Sequence, residues 1–208
     1  ALLTTEEYGT VDLITTLVQL FIPIVSLMID QGVFRYLLSS ENENTKKEVI
    51  SNAFFLLLGL NFVFIIIYLL LLPLITVKYK IWILLILVIT AFSNLFLQIS
   101  RGLKKTFDYA LGSFICSLIT ITLNVLCIAF IKMSAVGMLL ATFIGNVVCC
   151  IYLFFKLEIN KYLSLSSVNK KTLLNELKYS IPLIPNQLSL WVMNSSDRLI
   201  VSFILGTA

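Results

Sequence analysis

VISNAFFLLLGLNFVFIIIYLLLLPLITV, residues 49–77, contains no charged side chain. At 1.5 Å of rise per residue, about 20 apolar residues cross the hydrocarbon of a bilayer. This stretch is long enough to do so. Uncharged runs of similar character occupy residues 13–29, 81–100, 109–131, 133–155 and 179–196, which makes six expected spans. Backbone groups in lipid must find partners within the protein, and spanning strands would show polar alternation at every second position. These unbroken apolar runs therefore predict helices, and the fold class is all-α integral membrane.

Composition agrees. Hydrophobic residues make up 59% of the 208 positions and charged residues 12%, with a mean hydropathy of +1.01, whereas soluble domains are about one-quarter charged. The basic residues alternate from loop to loop. Arg35, Lys46, Lys47, Arg101, Lys104, Lys105, Lys156, Lys161, Lys170, Lys171 and Lys178 fall on one side, and only Lys78, Lys80 and Lys132 on the other. That bias predicts the first set on the cytoplasmic side. It also gives the net charge of +4 a topological origin and excludes a nucleic-acid interface, which needs basic residues clustered on a solvated face.

Other chemistry is excluded by what is missing. The chain has no histidine, so imidazole-based triads, relays and metal ligands are out. Cys116, Cys127, Cys149 and Cys150 all sit inside expected spans, where a thiol acts as a small apolar group. No metal site, no cofactor and no enzyme activity is expected. Residues 1–12 carry Glu6, Glu7 and Asp12 without a basic start, unlike a signal peptide. With no initiator methionine and no tail after the sixth span, the chain reads as part of a longer protein.

Polar residues within the spans fall on stripes. Asp12, Thr16, Gln19, Pro23, Ser26 and Asp30 recur every three or four residues in the first, Thr90, Asn94, Gln98 and Arg101 in the third, and Ser113, Ser117, Thr120 and Asn124 in the fourth. Such stripes face either another helix or a polar cavity. Gly137, Ala141, Gly145 and Cys149 instead place small residues at every fourth position of the fifth span, a signature of close helix packing. The second span, over Phe54 to Leu72, has almost nothing polar beyond Asn61 and reads as scaffold facing lipid on most sides. Pro23 interrupts the first span, and Pro182 and Pro185 stand near the start of the sixth, where each is expected to kink its helix. Asn186, Asn194, Asp197 and Arg198 share that sixth span, and a charge within a span usually faces a bundle interior. The connector 158–178 is the longest polar one and the expected domain boundary. Its second half has the pattern of a short amphipathic helix lying on the membrane surface.

Three motifs carry a family resemblance: Leu2-Leu3-Thr4-Thr5-Glu6-Glu7-Tyr8-Gly9; Asp30-Gln31-Gly32-Val33-Phe34-Arg35; and Leu177-Lys178-Tyr179-Ser180-Ile181-Pro182-Leu183-Ile184-Pro185-Asn186 followed by Asn194-Ser195-Ser196-Asp197-Arg198. Together they resemble the polysaccharide transporter family, which includes the Wzx-type lipid-linked oligosaccharide flippases, within the superfamily of multidrug and toxic-compound extruders. The resemblance runs the length of the chain. It implies a parent of about twelve to fourteen helices in two lobes, with residues 1–157 in the N-terminal lobe, 158–178 a cytoplasmic linker and 179–208 the first helix of the C-terminal lobe. It places the protein in a bacterial or archaeal cytoplasmic membrane. The implied function is to flip a polyprenyl-diphosphate-linked oligosaccharide by alternating access during O-antigen or exopolysaccharide export, with a polysaccharide polymerase and glycosyltransferases as partners.

On that reading Arg198 is the first candidate for the diphosphate, with Arg35 and Arg101 nearer the cytoplasmic mouth. Asn94, Gln98, Asn186 and Asn194 supply further substrate contacts, and Asp30 or Asp197 serves ion coupling. Plainer alternatives stand beside these: an intramembrane ion pair for Arg198, and topological charge at helix ends for Arg35 and Arg101. The competing function is an ion-coupled extruder of small molecules. A membrane enzyme acting on polyprenyl sugars is a third, for which the scattered Glu41, Glu43, Glu48 and Asp108 are a poor basis.

Overall fold

The computed structural model describes residues 4–74 and 79–205, with side chains described for all of these except 5, 6 and 195–205. The described residues are helical apart from short turns and connectors, without a strand. In chain order the helices are α1 (Thr5–Val25), α2 (Ile29–Ser39), α3 (Glu43–Leu71), α4 (Lys80–Gly102), α5 (Thr106–Val125), α6 (Ala135–Lys156), α7 (Ile159–Tyr162), α8 (Lys170–Ser180) and α9 (Leu183–Leu205). Among the described residues, five segments are long and apolar enough to cross a membrane, belonging to α1, α3, α4, α5 and α6. The sixth expected span corresponds to α9, a helix of 23 residues whose side chains are described only as far as Asn194.

The first span is two helices. Pro23, inside α1, has no N–H to give the Gln19 carbonyl. Four and five residues later Leu27 and Met28 both take left-handed backbone angles, φ 50° and 53°, at a cost of about 1–2 kcal/mol each. Ser26 steadies the turn, its Oγ accepting from the Met28 N–H at 3.2 Å. At the other end of α1, Thr4 and Glu7 form a capping box, with Thr4 Oγ1 accepting from Glu7 N and Glu7 Oε2 from Thr4 N. The start of the first resemblance motif is thus also a helix-start signal.

α4 is the central helix, packing against α1, α2, α3, α5 and α6. Half of its apolar window is buried, against 6% for α5. Ala91, Leu95 and Ile99 of α4 meet Val33 and Leu37 of α2, Ile50, Ala53 and Leu57 of α3, and Leu153 of α6 in the larger core, while Ile14 and Val18 of α1 join Ile83 and Leu87 in a second one. α5 and α6 make the closest pairing. A Cβ at Gly145 would collide with Thr120 Oγ1 and stand 3.0 Å from the Cys116 carbonyl, and one at Gly137 would lie 2.9 Å from Cys127 Cβ. The small-residue stripe of α6 is a packing seam, as its spacing predicts. Thr120 of the α5 polar stripe is spent on that seam, while Ser117 is exposed.

The prolines of the sixth span do something other than kink it. Pro182 lies in the turn between α8 and α9, and Pro185 in the first turn of α9, where helix N–H groups have no partner in any case. They start the helix.

Candidate functional site

Where α1 breaks, the polar stripe of the first span opens onto a cavity of about 280 Å³, close to the lower end of small-molecule sites, about 300 Å³. α1 contributes Gln19, Ile22 and Pro23, the break contributes Met28, and α2 contributes Asp30 and Gln31. α4 adds Asn94, and α9 adds Gln187, Leu190, Trp191 and Asn194. Their origins explain the arrangement. Without Pro23 and the two left-handed residues, one straight helix would carry Asp30 onward along its own axis. The break offsets α2, so that Asp30 and Gln31 face the space between α1, α4 and α9.

Two contacts fix the walls. Trp191 Nε1 donates to the Thr16 carbonyl at 3.1 Å, clamping α9 to α1, and Gln31 Nε2 donates to Asp30 Oδ2 at 2.8 Å. By contrast, no hydrogen bond among the described residues engages the side-chain amides of Gln19, Asn94, Gln187 or Asn194. In an apolar bundle an unpaired amide is costly, so these groups are placed to meet water or a polar ligand. The described lining is uncharged apart from Asp30.

Arg101 and Arg35 do not line this chamber. Arg101 stands two helical turns beyond Asn94, about 10 Å along α4. There it donates to Gln98 Oε1 at 3.1 Å and lies 4.5 Å over the ring of Phe34 and 5.3 Å over that of Tyr109. Arg35 lies 4.3 Å over the Tyr179 ring. Both guanidiniums are thus engaged by aromatic faces at the helix ends. Asn186 is exposed and does not line the cavity. Its neighbour Gln187 does, because Gln187, Leu190, Trp191 and Asn194 recur at spacings that keep one helical face. Counting back seven residues from Asn194 identifies that face, a step the sequence reading passes over together with Trp191. Asp197 and Arg198 fall on helical backbone within α9, but their side chains lie outside those described. Asp30 is nine-tenths buried and at the cavity wall. The α5 stripe does not reach the cavity, and of the α4 stripe only Asn94 does.

A second polar assembly holds the connector. Ser51 and Asn52, consecutive on α3 and almost wholly buried, grip it at two places. Ser51 Oγ donates to the Tyr162 carbonyl at 2.6 Å and accepts from Ser164 N. Asn52 makes a two-point clasp on Asn169, with Nδ2 donating to its carbonyl at 3.1 Å and Oδ1 accepting from its N–H at 3.0 Å. Glu48 Oε2 accepts from Thr172 Oγ1 and Asn169 Nδ2, and Asn169 Oδ1 in turn caps α8. The amphipathic helix expected in the connector is present as α8, pinned to α3 rather than merely resting on a surface.

The family model for polysaccharide biosynthesis proteins matches residues 1–208. The chain belongs to that family, and with its apolar helices it is a membrane protein of polysaccharide biosynthesis. No curated protein and no solved structure matches it.

Proposed function

We propose that this protein forms part of a translocase for polyprenyl-diphosphate-linked oligosaccharides, moving the saccharide through the cavity between α1, α4 and α9 by alternating access. The observation that carries the reading is a cavity at a broken helix, between apolar helices, lined by amides without a partner among the described residues and by an indole and a carboxylate. Hydroxyl-rich cargo faces several kcal/mol for each hydroxyl left unpaired in hydrocarbon. Amides offer donors and acceptors at once, and an indole offers an apolar face for a sugar ring. Discontinuous helices beside a central site are a recurring arrangement in transporters.

The diphosphate would need cations that the described lining lacks. Arg198, one turn beyond Asn194 on α9, is our candidate, with Arg35 and Arg101 serving the cytoplasmic approach. Guanidinium suits this role because its donor fork matches phosphate oxygens. Asp30, and Asp197 beyond it, are candidates for ion coupling. In this account the basic loops face the cytoplasm and α9 opens the second lobe of a protein of twelve to fourteen helices. The glycosyltransferases that build the saccharide and the polymerase that extends it act before and after this step.

The test is made in cells whose surface polysaccharide depends on the full-length protein. Arg198→Ala should abolish export and accumulate lipid-linked oligosaccharide on the cytoplasmic leaflet while membrane insertion stays intact. Unchanged export would remove Arg198 from the mechanism. A second reading, a small-molecule extruder, draws support from the pairing of Asp30 with Trp191 in a lining without a described cation, which suits a cationic ligand. Protection against cationic dyes with no change in surface polysaccharide would favour it.

A further inference from the structure

α8 is packed against α2 and α3 with a carboxylic acid in the contact. Glu176 is fully buried, as is Ser180 one turn further along. Among the described residues neither carboxyl oxygen of Glu176, nor Ser180 Oγ, has a hydrogen-bond partner within bonding distance and angle. α2 closes over them at Gly32, where a Cβ would collide with Ser180 Oγ and stand 3.1 Å from the Glu176 carbonyl oxygen. From α3 the Asn52 amide faces the carboxyl, with Oδ1 and one N–H of Nδ2 engaged by Asn169 and the second N–H the one donor on that side.

Among the described residues no counter-charge is at hand. On α2, Arg35 lies over Tyr179, the Tyr36 hydroxyl donates to the Asn175 carbonyl, and Asp30 accepts from Gln31. On α3, Glu48 accepts from Thr172 and Asn169, and Lys46 pairs with Glu43. Residues 183–194 of α9 carry no charge. A carboxylate enclosed this way would be an unpaired buried charge, whereas the neutral acid has an O–H to donate and Ser180 Oγ, four residues on, as an available acceptor.

We propose that Glu176 is a proton-operated latch: α8 docks on α2 and α3 with Glu176 as the neutral acid and is released when that acid ionises. α8 runs into α9 through residues 181–182, and α9 supplies one wall of the cavity. The latch therefore sets the freedom of that wall. Burial pushes the Glu176 carboxyl up to about 8, with the Asn52 amide opposing more weakly. Released into water, the group returns to the ordinary carboxylate range, near 4.5. The docked state thus holds its proton more tightly than the released one. Docking is fully favoured below about pH 4.5, weakens up to tenfold per pH unit as pH rises, and levels off above about 8. This inference does not depend on the cargo and survives if the saccharide reading fails.

The test is hydrogen–deuterium exchange over residues 170–180 of the full-length protein in lipid nanodiscs at pH 5.5, 7 and 8.5, with rates divided by the intrinsic exchange rate. Wild-type protection should fall tenfold or more across that range, and Glu176→Gln, permanently neutral, should keep its low-pH protection throughout. Glu48→Gln, which leaves the latch in place, should follow the wild type. Wild-type protection that does not change with pH, a Glu176→Gln variant that still responds to pH, or loss of the response in Glu48→Gln would each overturn the latch. If Glu176→Gln fails to fold, the wild-type series and Glu48→Gln decide.

Discussion

The chain gathers polar side chains in two places and treats them in opposite ways. At the Ser51–Asn52 clasp each polar atom meets a backbone partner of the connector at 2.6–3.1 Å. Around the cavity the amides of Gln19, Asn94, Gln187 and Asn194 point at space. A satisfied buried network fixes one arrangement of the chain, whereas a wall of unmated donors and acceptors is useful only when something polar arrives. The clasp is architecture, and the cavity is where we propose that function lies. The difference separates substitutions that should unfold the protein from those that should leave it folded and idle.

The largest effect on stability is expected at the clasp. Asn52→Ala removes both bonds of the clasp, leaving the Asn169 N–H without its partner and its C=O with only the Leu173 N–H, at about 1–3 kcal/mol in all. It should lower the thermal midpoint of the purified protein clearly and loosen α8. An unchanged midpoint would show that the connector is held by something else. Next comes the α5–α6 seam. Gly145→Val places a branched side chain against Thr120 and the Cys116 carbonyl, an overpacking cost of about 1–3 kcal/mol, also read from the midpoint. A neutral result there would mean that the two helices can separate freely. The cavity amides of Gln19, Asn94, Gln187 and Asn194 should rank last in stability, within about 0.5 kcal/mol of wild type, because they hold nothing together.

The sequence makes the fold legible through its long apolar runs, its alternating loop charge and the fourfold spacing of Gly137, Ala141, Gly145 and Cys149, all local patterns. It also points to the cavity through the Asp12–Asp30 stripe and Pro23, since helix periodicity survives the break well enough to keep Gln19, Pro23 and Asp30 together. What it does not reveal are pairings across long sequence separations. Asn52 reads as the polar edge of a lipid-facing helix until Asn169 is brought to it, and Glu176 reads as one charge on an amphipathic surface until α2 covers it at Gly32. Gln187 and Trp191 escape notice for a different reason, because the neighbouring Asn186 carries the more familiar motif. Proline misleads as well: Pro185 signals a kink on its own and a helix start once α8 and the turn at 181–182 precede it.

The central claim is that the chamber at the α1–α2 break is wet and open to polar cargo. It is tested most directly by placing a single cysteine at Asn94, in a background with Cys116, Cys127, Cys149 and Cys150 replaced by alanine, and treating membranes with a charged thiol reagent. Phe62→Cys, on the exposed face of α3, serves as the lipid-facing control. The account predicts that Asn94→Cys reacts readily and is shielded by added lipid-linked oligosaccharide while Phe62→Cys stays inert. An Asn94→Cys variant as unreactive as the control would mean a dry, closed interior and would contradict the account.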